Sequence, residues 1–288
     1  FGEQNITYKC CSNFLIHLSE HYDLSNDFFK LFLDSSMMYS SAVYQHKDMT
    51  LEQASDYKKE LICQKLQLKP MDHLVEIGSG WGGFAIYAAQ NYGCKVTTIT
   101  ISQAQYDEAT KRIADAGLSH RVDVQLIDYR LLEGKFDKLV SIEMIEAVGE
   151  QYLSTYFNKC RSLLKPNGLG LIQAITIEDA RYKKALNTVD YIKRYIFPGS
   201  FIPCISVLTQ AASEQQLRLK HLEDIGLSYA ETIHQWRERF LNAKEQILAL
   251  GFDENFIRMW DFYLCYCEGG FKEGVISNVH LLFEASAY

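Results

Sequence analysis

The chain has 288 residues, 48% of them hydrophobic and 23% charged, which is enough apolar material for a full globular core. Its formal net charge of -7 contains no block of like charge, so the sequence gives no electrostatic reason to expect a nucleic-acid partner. No signal-peptide pattern opens the chain, and no apolar run approaches the roughly 20 residues that span a bilayer.

The eight cysteines show no C-x-x-C pair and no cysteine–histidine spacing typical of structural zinc. We interpret them as reduced thiols of a cytoplasmic protein and predict no metal centre. The composition does not exclude peripheral contact with a membrane surface.

The first 69 residues are predicted to form a mostly helical N-terminal segment. In "DFFKLFLD" the helical spacing puts Phe28, Leu31 and Phe32 on one face, and a second helical pattern follows the cap at Thr50. The stretch between them, "SSMMYSSAVY", is polar, aromatic and aperiodic.

Residues 70–288 are predicted to form one α/β domain. Between His73 and Thr176, short β-rich runs alternate with helical ones, which indicates a doubly wound parallel sheet. The stretch at about 178–212 is largely helical and broken by prolines, and we interpret it as an inserted lid. Two further β-rich runs, "LRLKHLEDIGLSY" and "VISNVHLLFEA", enclose a pair of helical patterns.

A glycine-rich turn, "EIGSGWGG", follows the first predicted strand. It fits the dinucleotide-binding spacing only if Gly83 is the third glycine, bulky Trp81 interrupts it, and no acid ends the second strand to bind a ribose. Glu76 suits S-adenosylmethionine better, because an acid there can support the ligand's ammonium group. The alternative is a solvated strand-end acid beside a simple tight turn.

Polar residues also follow the next two strands. Asp128 ends "VDVQLID", where this type of fold usually puts an acid against an adenine amino group, and Thr100, Ser102 and Gln105 follow the second strand, where ribose hydroxyls need partners. Each residue alone is as typical of a cap as of a ligand-binding group. Together, in this order and spacing, they favour S-adenosylmethionine.

The chain resembles the cyclopropane-fatty-acyl-phospholipid synthases and the related mycolic acid cyclopropane synthases over nearly its whole length. The segments that carry this resemblance are "HYDLSNDFFKLFLD", "MMYSSAVY", "KLQLKPMDHLVEIGSGWGG", "TISQAQ", "DYR", "EMIEAVG", "YIFPGSFIP" and "YLCYCEGGF". It implies a class I methyltransferase fold, with a Rossmann-like, seven-stranded, mostly parallel sheet, an N-terminal helical cover over the cofactor and a helical lid. It also implies S-adenosylmethionine as methyl donor and cyclopropane formation at the cis double bond of unsaturated phospholipid acyl chains.

The resemblance implies which residues bind the cofactor, with the N-terminal segment reaching its methionyl carboxylate. The implied cofactor-binding residues are Tyr39, Ser40, Glu76, Gly78, Gly80, Thr100, Gln105, Asp128 and Tyr129. Transient contact with the inner face of a membrane is also implied, and a homodimer is compatible with the resemblance.

The resemblance further implies a bicarbonate ion as the base, held by Glu146, Tyr229 and Cys267. Two positions depart from the bacterial pattern, since Ser41 replaces a cysteine and Gln173 replaces a histidine. Both replacements can donate a hydrogen bond, so an anion site could survive, but Gln173 can never be cationic.

Several of these residues have a plainer interpretation. Glu143 aligns with a small residue in many relatives and is either a second carboxylate in the pocket or a solvated acid. Tyr229, placed on a strand by the pattern, is as typical of a packed aromatic as of a ligand-binding group. Cys265 and Cys267 are typical of buried free thiols at a helix end.

A lipid-modifying enzyme needs an apolar or basic rim, and "YKKALNTVDYIKRYIFPGSFIP" is the predicted one, although a helix with buried aromatics and solvated lysines explains it equally well. Two alternative reactions stay open. A different proton loss would give a methyl- or methylene-branched chain. Methylation of a small amine is disfavoured, because Ala147 stands where the resembling plant N-methyltransferases carry histidine.

Overall fold

The computed structural model describes residues 24–287. The part of the predicted helical N-terminal segment that falls in residues 1–23 lies outside the described residues. Within residues 24–287, no helix has the length and apolar character needed to cross a membrane.

Seven strands form one sheet in the order β3-β2-β1-β4-β5-β7-β6. The strands are β1 (His73–Ile77), β2 (Lys95–Thr100), β3 (Val122–Leu126), β4 (Phe136–Ile142), β5 (Leu164–Ile177), β6 (Leu217–Asp224) and β7 (Ile276–Ala285). The first five pair in parallel, and β7 runs antiparallel to both β5 and β6. The predicted seven-stranded, mostly parallel sheet is therefore confirmed.

Ten α-helices accompany the sheet in the described part of the chain. They are α1 (Asn26–Lys30), α2 (Leu51–Lys65), α3 (Gly83–Tyr92), α4 (Gln103–Asp115), α5 (Leu153–Leu163), α6 (Asp179–Leu186), α7 (Ile205–Glu214), α8 (Gly226–Asn242), α9 (Lys244–Ala249) and α10 (Glu254–Lys272). Thr50 caps α2 with a reciprocal capping box to Gln53, as the sequence predicts. The stretch predicted as a lid holds α6, a π-helical turn (Ile192–Ile196) and most of α7; its role as a lid stays a prediction.

Alternating strand residues separate the core into two apolar layers. Leu74 and Val140 pack on one face of the sheet, whereas Val75 and Leu139 pack on the other. A third cluster, the aromatic core, is built by α1, α8 and α10. Its largest buried rings are Phe28, Phe32, Trp236, Phe240, Phe256 and Trp260.

Trp81, the bulky residue of the glycine-rich turn, belongs to this aromatic core. It is 5% exposed, its ring centroid lies 5.0 Å from that of Phe29, and its indole N–H donates to Asn26 Oδ1 at 2.7 Å. Trp81 thus ties the turn to α1.

Tyr229 lies in a helix, so its predicted placement on a strand is wrong. Strand β6 ends at Asp224, whose carboxylate accepts from the Gly226 amide at 2.9 Å where α8 begins. A Cβ on Gly226 would lie 2.1 Å from Ser277 Oγ, so glycine permits this close start. The apolar spacing from Tyr229 to Trp236 is helical and overrides the short alternation before it.

Candidate active site

The glycine-rich turn connects β1 to α3 at the carboxyl edge of the sheet, beside the point where the strand order reverses. Gly78 and Gly80 have φ values of 95° and 49°, the left-handed region that glycine adopts without strain. The Gly78 and Ser79 amides donate to Ile99 O at 3.1 and 2.8 Å, which folds the turn over β2. A Cβ on Gly80 would meet no atom within 4 Å, so the turn faces open space. In sheets of this type, ligands bind at this place.

Glu76 is buried at the end of β1, as a cofactor-binding acid requires. It is 2% exposed, and its Oε2 accepts from Thr98 Oγ1 at 2.6 Å. Burial raises its pKa to about 8, against the lowering effects of the Thr98 hydrogen bond and of the Lys58 charge. A buried carboxyl of this kind gains a partner when a ligand ammonium group arrives.

Lys58 is a second buried ionisable group, and sequence reasoning missed it. Its Nζ donates to Ser40 Oγ at 2.6 Å, and burial lowers its pKa to about 8. The signal was present in α2, where Lys58 continues the buried stripe of Leu51, Ala54 and Ile62. Lys58 contacts Ser40, which is predicted to bind the carboxylate of the cofactor. The lysine charge is suited to the same carboxylate.

Thr100 and Gln105 are joined at the end of β2, where Thr100 Oγ1 donates to Gln105 Oε1 at 2.8 Å. Asp128 follows β3 and accepts from the Arg130 amide and Nε, each at 2.9 Å. Burial alone would raise the Asp128 pKa, but these bonds outweigh burial and lower it. The Tyr129 ring lies 5.6 Å from that of Tyr156, at the edge of the core.

These groups fit S-adenosylmethionine. The carboxyl edge of the sheet carries an acid that suits its ammonium group and a serine–lysine pair that suits its carboxylate. Polar groups that suit its adenosine follow β2 and β3, in the predicted order.

Glu143 is the centre of a second group of side chains, just past the end of β4. Its Oε1 accepts from the Ser41 amide at 2.9 Å, from Gln173 Nε2 at 2.8 Å and from Asn278 Nδ2 at 2.5 Å. Its Oε2 accepts from the Tyr229 hydroxyl at 2.7 Å. Of the two interpretations of Glu143, the solvated acid is wrong, because both of its carboxylate oxygens accept hydrogen bonds from protein groups.

A chain of hydrogen bonds fixes the orientation of the Gln173 amide. Gln173 on β5, His280 on β7 and Glu223 on β6 are cross-strand neighbours. Burial, together with the charge of Lys65 on α2, lowers the His280 pKa well below its usual value, so the ring is neutral. Lys65 donates to His280 Nδ1 at 2.7 Å and to Glu223, and His280 Nε2 donates to Gln173 Oε1 at 3.0 Å. Gln173 must then turn its NH2 group toward Glu143.

Glu146 lies beside this group in a 3-10 turn. Its Oε1 accepts from the Ile175 amide at 2.6 Å, and its buried Oε2 has no hydrogen-bond partner in the described part of the chain. Burial and the charge of Glu143 raise the Glu146 pKa to about 8. Two carboxyls thus share the site, and the second is mostly protonated at neutral pH.

Tyrosines surround Glu143. The Tyr39 and Tyr263 hydroxyls share a hydrogen bond of 3.0 Å, and the charge of Glu143 helps to raise the pKa of both, after burial itself. Phe197 packs its ring 5.9 Å from that of Tyr263. Tyr39 and Tyr263 thus bring π density to the neighbourhood of Glu143, and Phe197 extends this aromatic group.

Ser41 and Cys267, two other predicted catalytic residues, lie near this group, and their catalytic roles stay predictions. The Ser41 hydroxyl donates to the Ala42 carbonyl at 2.8 Å, so Ser41 reaches Glu143 through its backbone amide instead. Cys267 packs against the aromatic core in α10, and burial raises the pKa of its thiol to about 12. This is a protonated thiol at neutral pH.

The predicted rim divides into a buried and an exposed part. Ile196 is 0% exposed in the aromatic core, whereas Tyr195 is 49% exposed. Tyr191, Tyr195, Phe262 and Tyr266 form a four-ring cluster with Phe262 51% and Tyr266 46% exposed. We call these four residues the aromatic patch.

Comparison with known proteins identifies relatives of this site. The family model described as mycolic acid cyclopropane synthetase matches residues 13–281. The chain is 37% identical over 270 residues to the tuberculostearic acid methyltransferase UfaA1 of Mycobacterium tuberculosis, covering 90% of this chain and 62% of that protein. It is 40% identical over 264 residues to the cyclopropane-fatty-acyl-phospholipid synthase of Escherichia coli, covering 92% of this chain and 66% of that protein.

A solved structure of the mycolic acid cyclopropane synthase CmaA1, in complex with SAH and CTAB, superimposes with a TM-score of 0.87 at 28% identity. The match covers 95% of this chain and 98% of that one. The chain therefore shares the fold of that enzyme over most of its length, while it spans less than two thirds of the length of either curated relative.

Proposed function

The chain belongs to the mycolic acid cyclopropane synthetase family, whose members are S-adenosylmethionine-dependent methyltransferases, and we propose that it forms cyclopropane fatty acids on unsaturated phospholipid acyl chains. The observation that carries this proposal is the pair of carboxyls, Glu143 and Glu146, set among tyrosines beside the cofactor turn.

The reaction sets three demands on the protein. When bound, S-adenosylmethionine supplies an electrophilic methyl group, and the weakly nucleophilic cis alkene that takes it is left with a carbocation on the neighbouring carbon. The site must exclude water from that cation, stabilise it, and remove one proton from the new methyl group to close the ring.

The residues of the pocket meet these demands. The rings of Tyr39, Phe197 and Tyr263 offer faces that stabilise a cation and keep water out. The charge of Glu143 adds a closer and stronger stabilisation, because Coulomb attraction in a partly buried site is several times larger than in water. A carboxylate also supplies a base.

The partner that we propose is the surface of a phospholipid membrane. The aromatic patch exposes rings that suit the boundary between head groups and acyl chains, and Lys183, Lys184 and Arg194 are exposed in the same part of the chain. The protein would then work from the aqueous side and take its acyl chain from the bilayer.

A branched-chain product is the second candidate. The similarity to a tuberculostearic acid methyltransferase favours it, as do Ser41 and Gln173, which depart from the cysteine and the histidine that the family resemblance implies. Loss of a proton after the cation has moved to the methylated carbon leaves a methylene branch, and a separate reductase would supply the hydride for a methyl branch.

The test uses labelled S-adenosylmethionine and phospholipid vesicles with cis-unsaturated chains, and reads fatty-acid methyl esters by mass spectrometry. A gain of one CH2 with loss of the alkene signal supports the ring, and a gain with an alkene retained supports branching. Vesicles with saturated chains are the matched control. Absence of label in any lipid, with label found in a small amine, would contradict both lipid reactions.

A further inference from the structure

The groups that hold Glu143 stand at the positions where the family resemblance places the ligands of bicarbonate. Ser41 and Gln173 occupy the positions of the cysteine and the histidine, and Tyr229 is the matching tyrosine. Their donors are already used, since the Ser41 amide and the Tyr229 hydroxyl have one hydrogen each and both amide hydrogens of Gln173 are engaged, on Glu143 and on Ser41 O. Of the other implied ligands, Glu146 keeps an unpaired Oε2 and Cys267 packs in the aromatic core, and these two alone do not supply the set of donors that an anion needs. The residues of this chain therefore do not fit a bound bicarbonate.

We infer that the Glu143 carboxylate takes the place of bicarbonate in this enzyme and is itself the base that closes the ring. The step that Glu143 performs rests on the proposed function, whereas the exclusion of bicarbonate rests on the hydrogen bonds and the charge of the site. A second anion would also be repelled by the first at contact distance.

The backbone at Glu143 shows how the carboxylate reaches this position. Its φ is 50°, in the left-handed region that favours glycine, and a side chain there costs about 1 kcal/mol. The Glu143 amide donates to Gln173 O at 2.8 Å, so one residue fixes both the backbone and the side chain of Glu143. A strained backbone that brings a carboxylate onto four donors is a feature of functional sites.

The two oxygens of Glu143 are held unequally. Oε1 accepts three hydrogen bonds, from Ser41, Gln173 and Asn278, whereas Oε2 accepts one, from Tyr229. Oε2 therefore keeps a lone pair for a proton. Since Glu146 is mostly protonated at neutral pH, it does not compete for this role.

The step balances without any further reactant. Oε2 of Glu143 takes a proton from the methyl carbon newly bonded to the acyl chain. The electron pair of that C–H bond forms the bond to the cationic carbon and closes the ring. Glu143 becomes a neutral carboxylic acid and returns its proton to solvent when the product leaves.

The first test measures bicarbonate binding in the absence of turnover. Line broadening of 13C-labelled bicarbonate is followed for the wild-type protein, for Glu143→Gly, which relieves the strained φ and removes the carboxylate, and for Glu143→Gln, which keeps the volume. Binding is expected for Glu143→Gly alone. Equal broadening for the wild-type protein would overturn the inference, whether or not the lipid assay yields product.

The second test measures turnover in buffer freed of carbon dioxide. Added bicarbonate should change the wild-type rate by less than twofold and should raise the rate of Glu143→Gly at least tenfold. The rate of Glu143→Gln should stay at least 100-fold below the wild-type rate with or without bicarbonate. A wild-type rate that collapses without bicarbonate, or a Glu143→Gln variant at the wild-type rate, would refute the role of Glu143. A wild-type protein that modifies no lipid in either buffer would refute the proposed function, while the binding result would still stand.

Discussion

Glu146→Gln should separate stability from activity in a pH-dependent way. The pKa of Glu146 rises from 4.5 to about 8 in the folded protein, so between these values the native state binds more protons than the unfolded state. The wild-type protein must therefore lose stability as the pH rises through this window. The slope is about 1.4 kcal/mol per pH unit, which amounts to about 3 kcal/mol at pH 7.

The glutamine variant lacks this titration. Its free energy of unfolding, relative to wild type, should grow by about 1 kcal/mol per unit from pH 5 to pH 7, measured by urea denaturation without cofactor. A cost that does not depend on pH, such as an unpaired amide hydrogen, changes the free-energy difference equally at pH 5 and at pH 7, so it does not affect how that difference changes with pH. The titration of Glu76, which is also raised to about 8, cancels in the difference too.

Turnover completes this experiment. The family resemblance implies that Glu146 is catalytic, and an amide cannot supply the acidic proton that its neutral carboxyl holds, so Glu146→Gln should lose nearly all activity. The variant should bind S-adenosylmethionine as wild type does, because Glu146 does not lie among the predicted cofactor ligands. Parallel stability curves for the two proteins would show that Glu146 is ionised in the native state. Full activity of the variant would show that Glu146 has no part in the reaction.

Three further changes probe the neighbours. His280→Phe removes the donor that orients Gln173, so turnover should fall about 10- to 100-fold at unchanged cofactor affinity. Steady-state rates measure the turnover and calorimetry measures the affinity. Unchanged turnover with weakened cofactor binding would contradict this role of His280. Lys58→Met should weaken cofactor binding about tenfold or more by calorimetry, and unchanged affinity would exclude Lys58 from the site. Tyr229→Phe removes one donor from Glu143 and should slow turnover about tenfold, whereas an unaltered rate would mean that Glu143 needs no such support.

The sheet and the cofactor edge could be predicted from sequence because their signals are local. A β-rich run, a glycine turn and a helical pattern follow one another within the 18 residues from His73 to Gln90, and Glu76 and Gly78 take their roles from that order. Tyr229 was misplaced for the same reason, since a short alternating run beside it gave the wrong local signal.

The carboxylate site could not be predicted in this way. The partners of Glu143 lie 102, 30, 86 and 135 residues away along the chain, at Ser41, Gln173, Tyr229 and Asn278. These partners come together only in the folded protein, where α8 places Tyr229 and β7 places Asn278 beside the end of β4. The sequence therefore left Glu143 as either a pocket or a solvated residue.

The position of Glu143 explains why Gln173 stands where the family resemblance implies a histidine. The carboxylate of Glu143 needs hydrogen-bond donors around it, and a glutamine provides them without the titration that a histidine would bring. The glutamine in turn needs a fixed orientation, because a reversed amide would set its oxygen against the carboxylate. The neutral ring of His280, held by Lys65 across the sheet, supplies that orientation. Replacing Gln173 by histidine alone should therefore impair the enzyme rather than restore bicarbonate, unless Glu143 is changed to glycine in the same chain.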